Sequence, residues 1–242
     1  MIFAAGIGKR LQPISEHTPK ALVKLGEKTM LQLVAEKLIR AGANRIVVNI
    51  HHHPEKIQAF ISKLHFPEVE FIISDETGQL LDTGGGLHKA RPFLEGSEPI
   101  ILHNVDVLSD IDLLAMLEIH KSNNALATLA ATRRKTSRYF LWDQDRLAGW
   151  ENTSTGQMII SNPHPGQRLK RRAFSGIHMI SPELLSLITE TGVFSINDVY
   201  LRLAKANKII AFEHKPAHWA DIGTPEKLDY ARKLFEKNPG IF

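Results

Sequence analysis

The sequence predicts an α/β fold in which a mixed, mostly parallel β-sheet is covered by helices on both faces. In the first half of the chain, short runs rich in β-branched residues alternate with segments of helical periodicity. Such strand–helix–strand alternation is typical of parallel strands joined by crossover helices. After about Thr132, short strands follow one another around turns, which indicates a small antiparallel β region. We expect one domain with two halves, residues 1–132 and 133–242.

The first half begins with an apolar strand at 2–5, followed by a loop rich in glycine and proline that reaches about Thr29. Residues 30–41 form an amphipathic helix because Leu31, Val34 and Leu38 recur at helical spacing, and Gly42 ends it. The elements predicted next are strand 45–50, a helix from Pro54 to about residue 64, strand 69–74, a helix after the loop at 81–87, strand 99–103, helix 111–122 and strand 125–132.

The second half contains shorter elements. Strands 139–142 and 146–150 flank a turn at 143–145, and the polar segment 166–172 is interpreted as a loop. The elements predicted after it are strand 173–180, helices 182–189 and 196–205, strands 209–213 and 218–221, and a closing helix at 225–237. Added to one edge of the first sheet, these strands form the antiparallel region.

Composition excludes several classes of protein. The chain has no cysteine, which rules out disulfides, thiolate zinc sites and cysteine nucleophiles and suits the cytoplasm. No apolar run approaches the roughly 18 residues of a membrane span, and no signal peptide is recognisable, so no membrane partner is expected. The formal net charge of +4 is too small and dispersed to predict nucleic-acid binding. The densest basic stretch, Arg168 with 170–172, favours a solvated face or a small-anion site.

A glycine-rich loop follows the first strand. Gly6 and Gly8 allow close approach of backbone N–H groups to a ligand, and Lys9 and Arg10 add positive charge beside them. The segment lacks the Gly-Lys-Ser/Thr ending of a P-loop, and Leu11 occupies the third glycine position of a dinucleotide fingerprint. A polyphosphate site and a purely structural turn are the two interpretations of these glycines.

Residues 3–31 read FAAGIGKRLQPISEHTPKALVKLGEKTML, which resembles the signature of the sugar-1-phosphate nucleotidyltransferases. Phe3, Ser15 and Thr29 are mild departures, and later segments match in order over nearly the whole chain. The resemblance implies a Rossmann-like fold and a loop that wraps the phosphates of a nucleoside triphosphate (NTP). The loop residues that it implies as nucleotide-binding are Ala4, Ala5, Gly6, Gly8, Lys9, Arg10 and Lys20. Arg10 and Lys20 would contact phosphate oxygens and are the expected catalytic cations.

A second glycine-rich segment, LDTGGGL at 81–87, precedes a helix that Thr83 could cap. In the family, a similar segment lies beneath the nucleobase, which implies that Gly84 and Gly85 contact the nucleotide. The DTGGG form is most similar to bacterial N-acetylmuramate-1-phosphate uridylyltransferases. Related loops occur in mannose- and heptose-phosphate guanylyltransferases, so the choice of base stays open.

The segment FSGI at 174–177 is similar to the family's strand beside the sugar pocket, where Gly176 would allow close approach. A buried strand with an edge glycine is the alternative. Many relatives carry a Glu-Lys-Pro before this strand, whose lysine meets the sugar phosphate, and this chain lacks it. Glu151 stands near that place, and Asn104 is also expected on the sugar-phosphate side. The candidate replacements for the lysine are Lys170, Arg171 and Arg172.

Two aspartates are the expected metal ligands. Asp106 follows the apolar run IILHN at 100–104, at the carboxyl edge of the sheet where α/β proteins bind ligands. Asp221 lies in the segment WADIGTP at 219–225. Either aspartate alone could be a turn or cap residue, but relatives hold Mg²⁺ at both positions. Mg²⁺ accepts a few carboxylates and completes its shell with water and phosphate oxygens.

Three adjacent histidines at 51–53 follow the second strand. Neighbouring strand residues point to opposite faces, so three in a row do not meet one metal ion in regular geometry. One of them could line the rim of the pocket instead.

The resemblance implies a Mg²⁺-dependent transfer of a nucleotidyl group from an NTP to a sugar 1-phosphate, with release of pyrophosphate. We favour UTP with N-acetylmuramate 1-phosphate over GTP with mannose or heptose 1-phosphate. A non-catalytic nucleotide-binding regulator of the same fold is the other alternative. The expected partners are these small molecules, with no nucleic acid, and the expected assembly is a monomer or a small homo-oligomer.

Overall fold

The computed structural model of the protein describes residues 1–96, 98–161, 169–215, 218–238 and 240–242. The helices are α1 (Ile14–His17), α2 (Met30–Arg40), α3 (Pro54–Ile61), α4 (Asp82–Leu94), α5 (Leu113–Ser122), α6 (Glu183–Leu187), α7 (Ile196–Leu203) and α8 (Pro225–Lys237). The strands are β1 (Ile2–Phe3), β2 (Lys24–Leu25), β3 (Lys28–Thr29), β4 (Arg45–Ile50), β5 (Glu70–Asp75), β6 (Ile100–Asn104), β7 (Val107–Ser109), β8 (Ala127–Thr132), β9 (Arg138–Asp143), β10 (Arg146–Asn152), β11 (Gln157–Ile160), β12 (Lys170–Ile180), β13 (Ile209–Glu213) and β14 (Trp219–Asp221).

Within the described residues, ten strands form one sheet in the order β11-β10-β13-β8-β12-β6-β1-β4-β5, with β9 paired to both β10 and β12. Strand β1 runs parallel to β4 and β6, and β4 runs parallel to β5. Strand β12 is antiparallel to all three strands that it pairs with, β6, β8 and β9. The mixed sheet is confirmed, and its antiparallel share is larger than the sequence predicts.

Helices pack on both faces of this sheet, as predicted. Adjacent residues of β1 enter opposite apolar clusters, because Phe3 packs with α4, α6 and α7 while Ile2 packs with α2, α3 and α5. A third apolar cluster joins α8 to the loop that follows β1, through Leu11, Leu25 and Leu228. No helix in the described ranges is long and apolar enough to cross a membrane.

Three local predictions were wrong. The glycines at 84–86 are not in a loop before α4 but in its first turns, and Thr83 is not its cap. The Thr83 hydroxyl instead accepts a hydrogen bond from the backbone N–H of Ile196 in α7. Residues 170–172 belong to β12, where they pair with β9, while 166–168 lie outside the described residues. Strand β11 was not predicted at all.

The carboxyl ends of β1, β4, β5 and β6 meet at one edge of the sheet because these strands are parallel. Ala4, Asn49, Glu76 and Asn104 lie there, at or just beyond the four strand ends. The antiparallel ribbon of β7 and β14 crosses the same edge and places Asp221 beside the chain that follows β6. This edge and the neighbouring antiparallel strands β9 to β12 surround the candidate site.

Candidate active site

Two cavities open side by side at this edge of the sheet. The first, of about 390 Å³, we call the β1 cavity; its wall includes Phe3, Ala4, Ala5, Gly6, Lys20, Asn49, Glu76, Leu80, Thr83 and Val193. The second, of about 630 Å³, we call the β12 cavity; its wall includes Arg10, Arg134, Arg138, Trp150, Gly176, Trp219, Asp221 and Lys227. Asp82, Asn104 and Asp106 line both, so the two form one cleft with Asp106 at the junction.

The loop after β1 is shaped by contacts of its own residues. The N–H of Ala4 donates to Asn49 Oδ1 at 2.7 Å, and Ser15 Oγ donates to the carbonyl of Gly8 at 2.9 Å. Gly8 has φ of 75°, and a Cβ there would lie 3.1 Å from the Ser15 Cβ. This position therefore requires glycine for two reasons, its left-handed backbone conformation and its close packing on Ser15.

Side chains from the start of α3 hold the far side of this loop. His52 Nε2 donates to the carbonyl of Ser15 at 2.9 Å, and His53 Nε2 donates to that of Glu16 at 2.8 Å. Lys56 Nζ donates to the carbonyl of His17 at 2.6 Å. We call these three side chains the α3 clamp. The histidine triplet therefore satisfies backbone carbonyls, a role that its sequence did not reveal.

Lys20 and Asp106 form an ion pair at the junction of the two cavities. Lys20 Nζ lies 2.9 Å from Asp106 Oδ2, and the side chains are 15% and 24% exposed. Asp106 follows β6, and Lys20 begins a short 3-10 helix in the phosphate-loop region. The predicted lysine and the predicted aspartate are thus brought into direct contact across 86 residues of sequence.

Asp221 reaches the same junction through strand pairing. In the β7–β14 ribbon Asp221 is opposite Val107, and the N–H of Ile222 donates to the carbonyl of Asp106 at 3.0 Å. Asp221 Oδ2 lies 2.7 Å from Lys227 Nζ, and Asp221 Oδ1 accepts from the N–H of Gly223 at 3.0 Å.

This pair of carboxylates fits a hard divalent cation. Both side chains line the β12 cavity, offer only oxygen ligands and are balanced by one lysine each, Lys20 and Lys227. Within the described residues no cluster of three or more His, Cys, Asp or Glu could hold a metal ion. A cation on Asp106 and Asp221 would therefore need water or substrate oxygens, which is how Mg²⁺ is commonly held.

Two arginines that the sequence analysis overlooked line the β12 cavity. Arg134 stacks on the ring of Trp219 at 4.2 Å and donates from Nη2 to the carbonyl of Phe174 at 2.8 Å. Its Nε is buried and has no hydrogen-bond partner among the described residues. Burial lowers the pKa of Arg134 from its usual value, while the nearby Asp221 carboxylate opposes that shift. Arg138 begins β9 at the rim of the cavity. The only sequence signal was the basic cluster at 133–138.

The predicted replacements for the missing lysine lie elsewhere. Lys170, Arg171 and Arg172 line a separate basic cavity of about 470 Å³, together with Arg133, Arg134, Lys135 and Tyr139. Arg171 is paired with the buried Glu151, and Arg172 lies 3.0 Å from Glu213. Strand pairing with β9 holds these residues away from the aspartates, so the structure does not bring them or Glu151 into the cleft. None of these four residues lines the β1 or β12 cavity, and their contact with an acceptor stays a prediction.

Three glycines that the sequence singled out, Gly84, Gly85 and Gly176, differ in whether they line the cleft. Gly176 lines the β12 cavity with φ of 76°, and a Cβ there would lie 2.8 Å from Val107 Cγ2. A Cβ on Gly84 would lie 2.4 Å from the Phe194 ring, and one on Gly85 would lie 2.4 Å from the carbonyl oxygen of Gly192. Gly84 and Gly85 line neither cavity, because the segment before α7 packs on them. Protein atoms thus occupy the space that a side chain at Gly84 or Gly85 would need, and the contact of these glycines with a nucleotide stays a prediction.

A fully buried carboxylate supports the floor of the β1 cavity. Glu76 Oε1 accepts from Asn49 Nδ2 at 2.7 Å, and Glu76 Oε2 accepts from the N–H of Leu81 at 3.0 Å. Because Asn49 also binds the N–H of Ala4, one network joins the ends of β1, β4 and β5 to the start of α4. Sequence reasoning missed Asn49 and Glu76, which carry no motif of their own.

Comparisons with known proteins agree with this arrangement. Residues 1–238 match the family model described as Nucleotidyl transferase. A mannose-1-phosphate guanyltransferase of Yarrowia lipolytica is 28% identical over 247 residues, which cover 99% of this chain and 66% of that protein. An N-acetylmuramate alpha-1-phosphate uridylyltransferase of Caulobacter vibrioides is 26% identical over 256 residues, which cover 98% of this chain and 96% of that protein.

A similar fold is also present in solved crystal structures. The crystal structure of a UDP-glucose pyrophosphorylase complexed with UDP-glucose superposes with a TM-score of 0.77 at 17% identity, covering 98% of this chain and 97% of that chain. The chain spans about two thirds of the length of the curated mannose-1-phosphate guanyltransferases that it matches.

Proposed function

Because this chain belongs to the nucleotidyl transferase family, we propose that it transfers the uridylyl group of UTP to N-acetylmuramate 1-phosphate and releases pyrophosphate. The observation that carries the proposal is the continuous cleft formed by the β1 and β12 cavities, which meet at Asp106. Nucleotidyl transfer needs two phosphorylated substrates with their phosphates adjacent. An NTP in one cavity and a sugar 1-phosphate in the other satisfy that need.

We assign the NTP to the β1 cavity. The backbone of Ala4, Ala5 and Gly6 lines this cavity, with Gly8 and Lys9 in the same loop, and small residues let N–H groups approach phosphate oxygens. The base is placed against Leu80, Thr83 and Val193 rather than against Gly84 and Gly85. Lys20 on one side of the junction and Arg10 on the other are positioned to neutralise the leaving pyrophosphate.

We assign the sugar 1-phosphate to the β12 cavity. Gly176 and Asn104 lie where the acceptor approaches the junction, and Arg134 supplies the cation that the missing Glu-Lys-Pro lysine provides in many relatives. The acceptor phosphate is already a nucleophilic dianion, so no general base is required. The residues act by holding two phosphates in line and by offsetting their charge.

Asp106 and Asp221 would hold the Mg²⁺ ion, whose donor requirements they fit. When bound, Mg²⁺ would supply positive charge that offsets the charge of the two phosphate groups. Lys20 and Lys227 balance the charge of the two carboxylates, and both ammonium groups add positive charge where phosphate oxygens would lie. The two aspartates and two lysines thus form one electrostatic unit.

The choice of substrate has two supports. The Caulobacter vibrioides uridylyltransferase matches over nearly the whole length of both chains. N-acetylmuramate 1-phosphate carries a carboxylate besides its phosphate, and the β12 cavity contains more than one arginine. GTP with mannose 1-phosphate is the second candidate, because several mannose-1-phosphate guanylyltransferases are similar to this chain.

One panel tests the proposal. The purified protein with Mg²⁺ is given each of UTP, GTP, CTP and dTTP against N-acetylmuramate, mannose and glucose 1-phosphates, and pyrophosphate release is measured. The highest kcat/KM is expected for UTP with N-acetylmuramate 1-phosphate. A preference for GTP with mannose 1-phosphate would replace this assignment by the second candidate, and no release with any pair would favour a non-catalytic role.

A further inference from the structure

We infer that the β12 cavity contains a second anion subsite, built on Arg138, which binds a carboxylate of the acceptor at a distance from its 1-phosphate. The inference rests on the proposed function and adds to it the residue that recognises an acidic sugar. It is carried by the Arg138 guanidinium, which has no hydrogen bond or ion pair among the described residues, and by the strand register of the cavity floor.

The arginines of the β12 cavity differ in the contacts that their guanidinium groups make within the protein. Arg10 and Arg138 have no hydrogen bond or ion pair to their guanidinium groups among the described residues, and Arg134 binds only a backbone carbonyl. Arg10 lies beside Gly223 and Asp221, next to the junction. Arg134 lies near Asp221 on the ring of Trp219, which places it with the acceptor phosphate. Arg138, at the start of β9, is left for a further negative charge.

The strand register orders the floor of the cavity into two rows. Phe140, Trp150 and Ile159 are directly opposite one another on β9, β10 and β11, and all three line the cavity. Arg138 and Gln157 are opposite the two sides of Asn152 in the next row on the same face, and both line the cavity as well. Directly opposite residues share a face, and residues two apart on a strand share it too. An apolar row is therefore bordered by a charged and polar rim.

This pattern fits an acceptor with an apolar group followed by a carboxylate. The lactyl ether of N-acetylmuramate has a methyl group and a carboxylate on one carbon, which would meet the apolar row and Arg138 respectively. Arginine binds a carboxylate through two parallel hydrogen bonds, which gives both affinity and orientation. A neutral hexose 1-phosphate would leave Arg138 without a counter-charge.

The test compares two acceptors that differ only in the lactyl group, N-acetylmuramate 1-phosphate and N-acetylglucosamine 1-phosphate. The wild-type protein should have a lower KM for the first. In the wild type, the KM for N-acetylglucosamine 1-phosphate divided by the KM for N-acetylmuramate 1-phosphate should exceed one. In Arg138→Gln this ratio should fall by about 10- to 100-fold, towards unity, because one charge-assisted contact is lost. Arg138→Lys should keep part of the preference.

The neighbouring Arg133 provides the matched control. Its side chain is 72% exposed, pairs with Glu213 and lies outside the β12 cavity, so Arg133→Gln should keep the wild-type ratio. Equal effects of Arg138→Gln on both acceptors, or no effect on either, would overturn the inference while leaving the proposed transfer intact. Calorimetry with each acceptor alone reads the subsite without turnover. Binding of N-acetylmuramate 1-phosphate that depends on Arg138 in a protein without turnover would support the subsite and refute the proposed function.

Discussion

At the scale of single residues, the most specific prediction concerns the effect of Lys20 on turnover. Its ammonium is paired with Asp106 at the junction of the cavities, beside the loop proposed for the NTP phosphates. Lys20→Ala should lower turnover by about 10²-fold or more, because one preorganised charge contact contributes a few kcal/mol to transition-state stabilisation. Steady-state pyrophosphate release measures the effect, and circular dichroism should show an unchanged fold.

Lys24 is a suitable control for that experiment. It lies in the same loop region, on β2, and its side chain is exposed. Lys24→Ala should therefore retain wild-type turnover. Near-wild-type activity of Lys20→Ala would remove Lys20 from the proposed machinery.

At the scale of elements, the α3 clamp holds the loop that follows β1 through contacts to its backbone carbonyls. His52 donates to the carbonyl of Ser15 and Lys56 to that of His17, and the Ser15 hydroxyl in turn donates to the carbonyl of Gly8. The double variant His52→Ala/Lys56→Ala should raise the KM for UTP and lower kcat by about 10-fold, because small misplacements of a binding loop reduce catalysis.

The conservative change His52→Gln separates positioning from folding, since the glutamine amide keeps a donor for the Ser15 carbonyl. It should recover part of the lost activity when compared with His52→Ala. The exposed Lys63, just after α3, serves as the control because Lys63→Ala should behave as wild type. A loss of thermal stability that matches the loss of activity in all variants would contradict a specific effect on the loop.

Some helices and strands could be predicted from the sequence, and others could not. The amphipathic pattern of α2 and the β-branched run of β4 are local signals, and both elements occur almost as predicted. The segment LDTGGGL looked like a loop because glycine disfavours helix interiors. The close packing of Phe194 and Gly192 on Gly84 and Gly85 overrides that preference. No local sequence pattern predicts this contact, because the two segments that form it are more than a hundred residues apart.

At the scale of the whole molecule, the site depends on the meeting of Asp106 and Asp221. Asp106→Asn or Asp221→Asn should each weaken Mg²⁺ binding and lower turnover by orders of magnitude, with UTP affinity less affected because the loop contacts remain. The double variant should cost little more than either single one, since the two carboxylates act as a unit. Turnover against Mg²⁺ concentration, with UTP binding by calorimetry, measures both quantities.

Asp110 supplies the control for this pair. It lies just beyond β7 in the same ribbon region and pairs with His218 at 2.8 Å, outside both cavities. Asp110→Asn should leave the Mg²⁺ dependence unchanged. Additive losses in the double aspartate variant would mean that the two carboxylates act at separate places.

Buried histidines connect stability to pH. Burial lowers the pKa of His103 to about 3, of His178 to about 3 and of His120 to about 4, against the usual 6.5. The unfolded chain therefore binds more protons than the folded chain between about pH 6.5 and pH 4. The free energy of unfolding should be highest above pH 6.5 and fall below it, by up to roughly 1.4 kcal/mol per pH unit for each histidine.

Urea unfolding at pH 7, 6 and 5 measures this dependence. His120 hydrogen bonds with Thr128 and Ser181 inside the fold, and His120→Gln should reduce the slope by about one proton. The exposed His65 provides the comparison, because His65→Gln should leave the slope unchanged. A flat profile between pH 7 and pH 5 would contradict the prediction.

The sequence by itself determined the class of fold, the order of most strands and helices, and the loop that begins at Gly6. These properties arise from local causes, such as periodic burial, glycine conformations and turns, which a single segment can express. It also singled out Lys20, Asp106 and Asp221, because each stands in a recognisable motif. The structure shows the ion pair of Lys20 with Asp106 and places Asp221 in the same cavity as Asp106.

Only the tertiary structure decided which cations share a cavity with the aspartates. The sequence pointed to Lys170, Arg171 and Arg172 and did not single out Arg134 or Arg138. The pairing of β12 with β9 and the ion pairs with Glu151 and Glu213 turn the first group away from the cleft. The stacking of Arg134 on Trp219 and the position of Arg138 at the start of β9 bring the second group in. Strand register and long-range packing determine which cationic side chains line the cavity, and neither property can be predicted from a single segment of the chain.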